Sequence, residues 1–186
     1  MTASQRESIQ CVSADGAGWI ADCVKEYCPN AERCIDPFHV VSWATKIPDE
    51  ERRKVCSELQ GTSSKTGNQK GLSEQETRIS ELKKRIKAIK KSKYALLKNP
   101  DNLSEKQQEQ ISFLMKAAPV LYRAYLLKEN LRLLLKAGPD ETGPLPDKWM
   151  AWAQRCRIPS FRELRKKIKR HRDAIIASAK YQLSYK

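Results

Sequence analysis

The sequence predicts a mainly α-helical protein that begins with a short βαβ unit. Within residues 1–50, two short apolar runs flank one amphipathic stretch. Beyond residue 73, apolar residues recur at helical spacing among many lysines and arginines. Between these regions lies a polar stretch rich in Gly, Ser and Thr. We therefore expect four segments: an α/β segment over 1–59, a linker over 60–73, a helical domain over 74–155 and a basic C-terminal helix over 156–186.

The charge of the chain points to a polyanionic partner, most simply nucleic acid. The 186 residues include 36 Lys and Arg against 22 Asp and Glu, a formal charge of +14. Residues 1–50 are net acidic, so the excess of positive charge lies in the remainder. The alternative is that the Lys-rich helices only present a solvated face. The sequence lacks a signal-peptide pattern and an apolar run near the roughly 20 residues that span a bilayer, so we expect a cytoplasmic, nucleoid-associated protein without a membrane partner.

The first fifty residues predict two strands joined by a helix. Strands are expected over 9–12 and 33–35, with a helix over 17–27 between them and a second helix over 37–45. Such a connection implies parallel pairing and a right-handed crossover. Two strands are too few for a stable sheet, so further strands or a partner should complete it.

Helices are predicted throughout the rest of the chain. A capping box at Ser73 and Glu76 opens a helix that should end near residue 98. Further helices are expected from residue 104, over 120–136 and around Trp149. A second capping box at Ser160 and Glu163 opens the long terminal helix. The apolar stripe of that helix contains Phe161, Leu164, Ile168 and Ile175.

Two carboxylates follow the two predicted strands. Asp15 and Asp36 should lie near each other, because functional groups gather at the carboxyl ends of parallel strands. Paired carboxylates suit Mg²⁺, which prefers oxygen ligands, and such sites support phosphodiester cleavage. The alternative is that each Asp caps the helix that follows it.

Two further sets of residues are candidates for binding. Basic residues on two predicted helices are dense enough for contacts with DNA phosphates. They are Lys83, Lys84, Arg85, Lys90, Lys91, Arg165, Lys166, Lys169 and Arg170. Trp149 and Trp152 lie three residues apart and share a helix face, either as core residues or as a platform on which an unpaired base stacks. His171, near the apolar stripe, should pack rather than act in catalysis.

Four residues form a candidate zinc set: Cys23, Cys28, Cys34 and His39. Their spacings differ from the paired ligands of common zinc sites, and free cysteines often serve as small core residues. Cys23 and Cys34 fall on faces that we expect to be buried. Structural cysteines are therefore the favoured interpretation.

Several motifs in a fixed order make the sequence recognisable. They are Asp15, Pro29-Asn30-Ala31 and Asp36-Pro37-Phe38-His39-Val40-Val41, followed by matches over 96–103, 122–129, 157–159 and 168–184. With these motifs the chain resembles the bacterial insertion-sequence transposases of the ISL-three family, which use DDE chemistry. The resemblance implies an RNase H-like fold with a helical insertion. It also implies that Asp15 is the second catalytic Asp and a Mg²⁺ ligand, that Asp36 and His39 form a signature beside the site, and that transposon-end DNA is the partner.

The chain also departs from the pattern of that family. The first catalytic Asp of the family lies on an earlier strand, and the third acid, a Glu, follows Leu-Ser-Asn-Gly, whereas here Leu183-Ser184 precedes Tyr185-Lys186. We therefore expect a transposase fragment, truncated at both ends, that binds DNA or a full-length transposase without strand transfer. The alternative is a small basic helical DNA-binding or regulatory protein without catalysis.

Overall fold

The computed structural model of the chain describes residues 1–65, 72–138 and 143–183. These residues form two compact units. The first unit combines Met1–Ala44 with Asn130–Lys186, and the second comprises Thr45–Glu129. The segment boundaries that the sequence suggests remain a prediction.

The described part of the chain is mainly helical, as the sequence predicts. In chain order the elements are α1 (Ala3–Glu7), β1 (Cys11–Ala14), α2 (Gly18–Tyr27), β2 (Glu32–Ile35), α3 (Pro37–Thr45), α4 (Ile47–Lys65), α5 (Leu72–Lys91), α6 (Lys93–Leu97), a 3₁₀ turn (Pro100–Asn102), α7 (Glu105–Ala117), α8 (Pro119–Leu134), α9 (Leu145–Arg155), α10 (Pro159–Arg170) and α11 (Arg172–Lys180). None of the helices in the described ranges has the length and apolar character needed to cross a membrane.

The first unit contains a two-stranded parallel sheet, as expected. Cys11 of β1 lies opposite Glu32 of β2, and Ala14 lies opposite Ile35. On the edge of β2 away from β1, the Ser178 hydroxyl of α11 accepts a hydrogen bond from the Ile35 N–H at 3.0 Å and donates to the Ile35 carbonyl at 2.6 Å. Helix α11 therefore satisfies the backbone groups of Ile35 that point away from β1.

The second unit packs its helices around a separate apolar core. Helix α4 lies against α5 and α6, and α6 lies against α7. Its buried residues include Cys56, Ile89, Leu96, Leu114, Leu121 and Tyr125. Lys128 is also buried, but its amino group donates to the carbonyls of Leu96 and Lys98 and pairs with Glu129, so the charge has partners.

Helix α4 is the main element that sequence patterning missed. Its first turns are rich in charged residues, where Asp49 pairs with Arg52 and Arg53, and the apolar residues that pack into the core, Val55, Cys56 and Leu59, come later in the helix. The first residues of the predicted 60–73 linker are helical, because α4 continues to Lys65. The rest of that linker up to residue 71 lies outside the described residues, and so does the side chain of Ser73 from the predicted capping box.

The C-terminal region differs from the single long helix that was predicted. The chain bends at His171, whose φ of −106° and ψ of 15° separate α10 from α11. The predicted capping box at Ser160 is wrong, because α10 begins earlier: Ile158 occupies its N-cap position and Pro159 its first turn. The apolar stripe of Phe161, Leu164, Ile168 and Ile175 is confirmed as buried.

The predicted apolar face of α2 is mostly exposed. Val24 is buried, but Trp19 is 68% exposed and Tyr27 is 49% exposed. Cys23, which was expected to be buried, is exposed as well. Amphipathic spacing therefore identified the helix correctly, while most of its apolar face lies outside the core of the unit.

We expect Ser178→Ala to destabilise the first unit by about 1–3 kcal/mol, because it leaves the buried Ile35 N–H without its partner. The free energy of unfolding in urea measures this loss. Ser4→Ala, on the exposed helix α1, is the matched control and should change little. Equal effects of the two substitutions would contradict the role assigned to Ser178.

The ion pairs of Asp49 should make stability depend on pH. Burial raises the pKa of this carboxyl, but hydrogen bonds from Arg53 and Arg52 outweigh burial and hold the pKa below its ordinary value of 3.8. Because the pKa is lowered in the folded state, the contribution to stability is present above about pH 4 and disappears as the pH falls through the folded-state pKa.

Accordingly, Asp49→Asn should cost about 3 kcal/mol in unfolding free energy at neutral pH, because it removes the anionic partner of Arg52 from a largely buried ion pair. The difference from the unsubstituted chain should shrink in titrations below about pH 4. Glu109→Gln, at an exposed position of α7, provides the control. A difference that stays constant down to about pH 2 would show that the charge of Asp49 is not the cause.

Candidate functional site around Asp15

Asp15 immediately follows β1, at the carboxyl end of the strand. Its side chain is exposed, and Oδ1 accepts a hydrogen bond from the Ala17 N–H at 2.9 Å. This contact spans two residues and stabilises the turn into α2, whose N-cap position is Ala17 itself. The carboxylate thus orders its own loop and remains at the surface.

Asp36 occupies the equivalent position after β2, where its N–H donates to the Ala14 carbonyl. One carboxylate oxygen accepts from the Phe38 N–H at 2.8 Å at the start of α3, as the capping interpretation predicts. The other oxygen lies 3.0 Å from Nδ1 of His39. Asp36 and His39 are therefore in direct contact, and both carboxylate oxygens of Asp36 already have protein partners.

The loop that carries Asp15 is surrounded by residues that sequence patterning did not assign to a site. Arg33 of β2 donates from Nη2 to the Asp15 and Ala17 carbonyls at 3.5 and 3.2 Å. The Trp43 and His171 rings approach Gly16 so closely that an added Cβ would lie 3.0 Å from Trp43 Cζ2 and 3.3 Å from His171 Nε2. The signals in the sequence were weak: one Arg in a short strand, and one Trp within an apolar helix.

Lys167 adds a positive charge to this group of residues. Its amino group lies 3.6 Å from the centroid of the Trp43 ring, a close cation–π contact. Burial and then the charge of Arg170 lower the pKa of Lys167, while the Asp15 carboxylate partly offsets them. Burial also lowers the pKa of His171, and the positive charges of Arg33, Lys167 and Arg170 lower it further. His171 is buried, as its predicted packing role requires.

The residues that the structure describes do not make a metal site by themselves. Within the described ranges, no group of three or more His, Cys, Asp or Glu is placed to hold a metal ion. The zinc set proposed from the sequence is not assembled: Cys34 is buried and its Sγ lies 3.1 Å from that of Cys11, whereas Cys23 is exposed. Burial, and next Cys11, raises the pKa of the Cys34 thiol to about 12. Asp15 alone would supply too few oxygen ligands for Mg²⁺.

The predicted DNA-binding residues lie on two helices in different units. Lys83, Lys84, Arg85, Lys90 and Lys91 are all exposed on α5, while Lys166, Lys169 and Arg170 are exposed and Arg165 is half-buried on α10. Lys166 is paired with Glu163. Both helices therefore present positive charge at the surface of their own unit.

The two tryptophans predicted to share a face have different environments. Trp149 is 3% exposed, and its ring packs edge-on against Phe161 with centroids 6.3 Å apart, so it is a core residue. Trp152 is half-buried. Both line a cavity of about 490 Å³ together with Lys136 and Lys148.

We expect Gly16→Ala to destabilise the first unit by about 1–3 kcal/mol, because the new methyl group forces the Trp43 or His171 ring to move. Gly18→Ala is the matched control, since a Cβ there meets nothing within 4 Å. Urea unfolding measures both effects. If the two variants are equally stable, Gly16 is not required for the packing of the Asp15 loop.

Comparison with known proteins identifies the family of the chain. A family model for transposases, the ISL3 group of the DDE type, matches residues 1–185. The chain is also 44% identical over 185 residues to the transposase for insertion sequence element IS1557 from two strains of Mycobacterium tuberculosis, CDC 1551 / Oshkosh and H37Rv. The alignment covers 98% of this chain and 41% of each relative. No solved structure is significantly similar.

The chain thus spans about two fifths of the length of the curated relatives it matches. The family match extends over nearly every residue, including both strands and the basic helices. By sequence, this protein belongs to the ISL3 family of DDE transposases.

Proposed function

We propose that this chain is a segment of a DDE transposase that contributes Asp15 to the catalytic site and binds DNA. The proposal rests on the position of Asp15 in this chain, which belongs to the family. Asp15 is a surface carboxylate at the carboxyl end of a parallel strand, and Arg33 and Lys167 lie close to its loop. Catalytic groups gather at this end of parallel strands. The parallel β1–β2 pair with its helical crossover also supports an RNase H-like arrangement.

A metal ion at Asp15 would need further oxygen ligands, because the described residues place no group of three or more candidate ligands together. DDE transposases generally use a divalent metal ion, and Mg²⁺ is the ion that we expect. Asp15 would be one oxygen ligand, and the other ligands would come from regions of the transposase that this chain does not cover. The Asp36–His39 pair would then support the strand end next to Asp15 rather than bind the ion, since both carboxylate oxygens of Asp36 are engaged.

DNA is the partner that the family implies, and the exposed charge supports it. The basic residues of α5 and α10 carry side chains that can reach a phosphate backbone without reading its sequence. Trp152 is the better candidate for base stacking, because Trp149 is enclosed by the core. Pairing with a full-length transposase is a further prediction from the resemblance.

A chimeric transposase tests the proposed role of Asp15. The segment of the Mycobacterium tuberculosis relative that matches this chain is replaced by residues 1–185, and the transposition frequency is measured in cells. We expect an active chimera that loses at least about 100-fold of its activity with Asp15→Asn, because a metal ligand is removed.

Asp22→Asn provides the control, because it removes an exposed carboxylate of α2 in the same unit. This variant should retain the activity of the chimera. An inactive chimera would contradict the proposal that this segment serves in a transposase. A chimera that stays active with Asp15→Asn would contradict the role assigned to that residue.

A further inference from the structure

We propose that a pocket beside the Asp15 loop binds one phosphate group of a nucleic-acid backbone through Arg33 and Arg170. The Arg33 pocket, as we call it, has a volume of about 330 Å³ and is lined by Glu32, Arg33, Arg170, His171, Asp173 and two alanines of α11. This inference rests on the proposed function and makes it more specific, because it assigns a binding site for the DNA strand next to the candidate catalytic residue.

The charges of the Arg33 pocket are unbalanced in favour of an anion. Its two carboxylates are already paired with cations that do not line it: Glu32 with Lys180 at 2.5 Å, and Asp173 with Arg172 at 3.4 Å. The side chain of Asp173 is also 98% exposed and therefore well solvated. In the described ranges, neither Arg33 nor Arg170 forms an ion pair with a carboxylate. The net charge available to a ligand is therefore positive.

Arg33 has hydrogen-bonding capacity that the protein does not use. Its Nη2 donates to two loop carbonyls, but its Nε is buried and has no partner among the described residues. A buried charged donor without an acceptor is energetically costly. The planar guanidinium is suited to phosphate oxygens, which accept two of its N–H groups at once. A phosphate would therefore complete the partners of this side chain.

The surroundings of the pocket add to its preference for phosphate. Burial is the first cause of the lowered pKa of both Lys167, on α10, and the lining residue His171, and the charge of Arg170 lowers each pKa further. A bound anion would offset this positive charge. Arg170 is exposed on the same helix as the predicted DNA-binding residues Lys166 and Lys169, so a strand bound along α10 could place one phosphate in the pocket.

NMR spectroscopy of the ¹⁵N-labelled chain gives a direct test, because the buried Arg33 Nε–H has its own resonance. The signal is assigned by its loss in Arg33→Lys, which keeps the charge. A duplex oligonucleotide is added at low salt, and inorganic phosphate is added in a parallel titration. We expect the duplex to shift the Arg33 Nε–H signal in the unsubstituted chain and to leave it nearly unshifted in Arg170→Gln.

Lys25→Gln is the matched control, because it removes one positive charge from an exposed position of α2 in the same unit and does not line the pocket. The Arg33 signal must still shift in this variant. Affinities measured between about 50 and 200 mM salt should show a log–log slope lower by about one in Arg170→Gln, as expected for one lost phosphate contact.

The outcomes separate this inference from the proposed function. If DNA binds with a steep salt dependence but the Arg33 signal does not move, the pocket is not the phosphate site, although DNA binding stands. A shift with inorganic phosphate but none with the duplex would also overturn the inference, because the pocket would then take only free phosphate. If no salt-dependent DNA binding occurs, the DNA-binding part of the proposed function fails as well.

Discussion

The hydrogen bonds between Ser178 and the backbone of Ile35 join two parts of the chain that are 143 residues apart. A parallel pair of four-residue strands has few hydrogen bonds of its own and is marginal in water. Helix α11 closes the outer edge of β2, and its Lys180 also pairs with Glu32 at the start of that strand. The first unit depends on this contact because it connects the small sheet to the C-terminal helices.

The same contact determines what surrounds Asp15. With α11 held along β2, the bend at His171 lies beside Gly16, and the last turns of α10 bring Lys167 over Trp43. Arg33 approaches the loop from β2 itself. Residues 1–50 are net acidic, yet the loop lies among cations, two of which come from the distant C-terminal region. A carboxylate in such a setting suits chemistry on a polyanion, because the cations offset the repulsion between the carboxylate and phosphate.

Local patterns predicted the regular elements well where apolar spacing or capping was strong. The parallel βαβ unit, the helix capped at Ser104 and the buried stripe of α10 follow from short-range rules of spacing and turn chemistry. Helix α4 was not predicted, because its first turns are dominated by charged residues that form ion pairs and show no apolar stripe. Trp19 is exposed although helical spacing places it on the same face of α2 as the buried Val24, because periodicity shows which residues share a face but not whether anything covers it.

The sequence by itself determined the family, the helical class and the identity of Asp15 as the candidate residue, because these depend on motif order and on interactions within a few residues. Only the tertiary structure decided that Arg33, Trp43, Lys167 and His171 meet at the Asp15 loop. It also decided that the cysteines and His39 do not form a zinc set in the described ranges. These outcomes depend on long-range packing and on the pairing of buried polar groups, which no local spacing encodes.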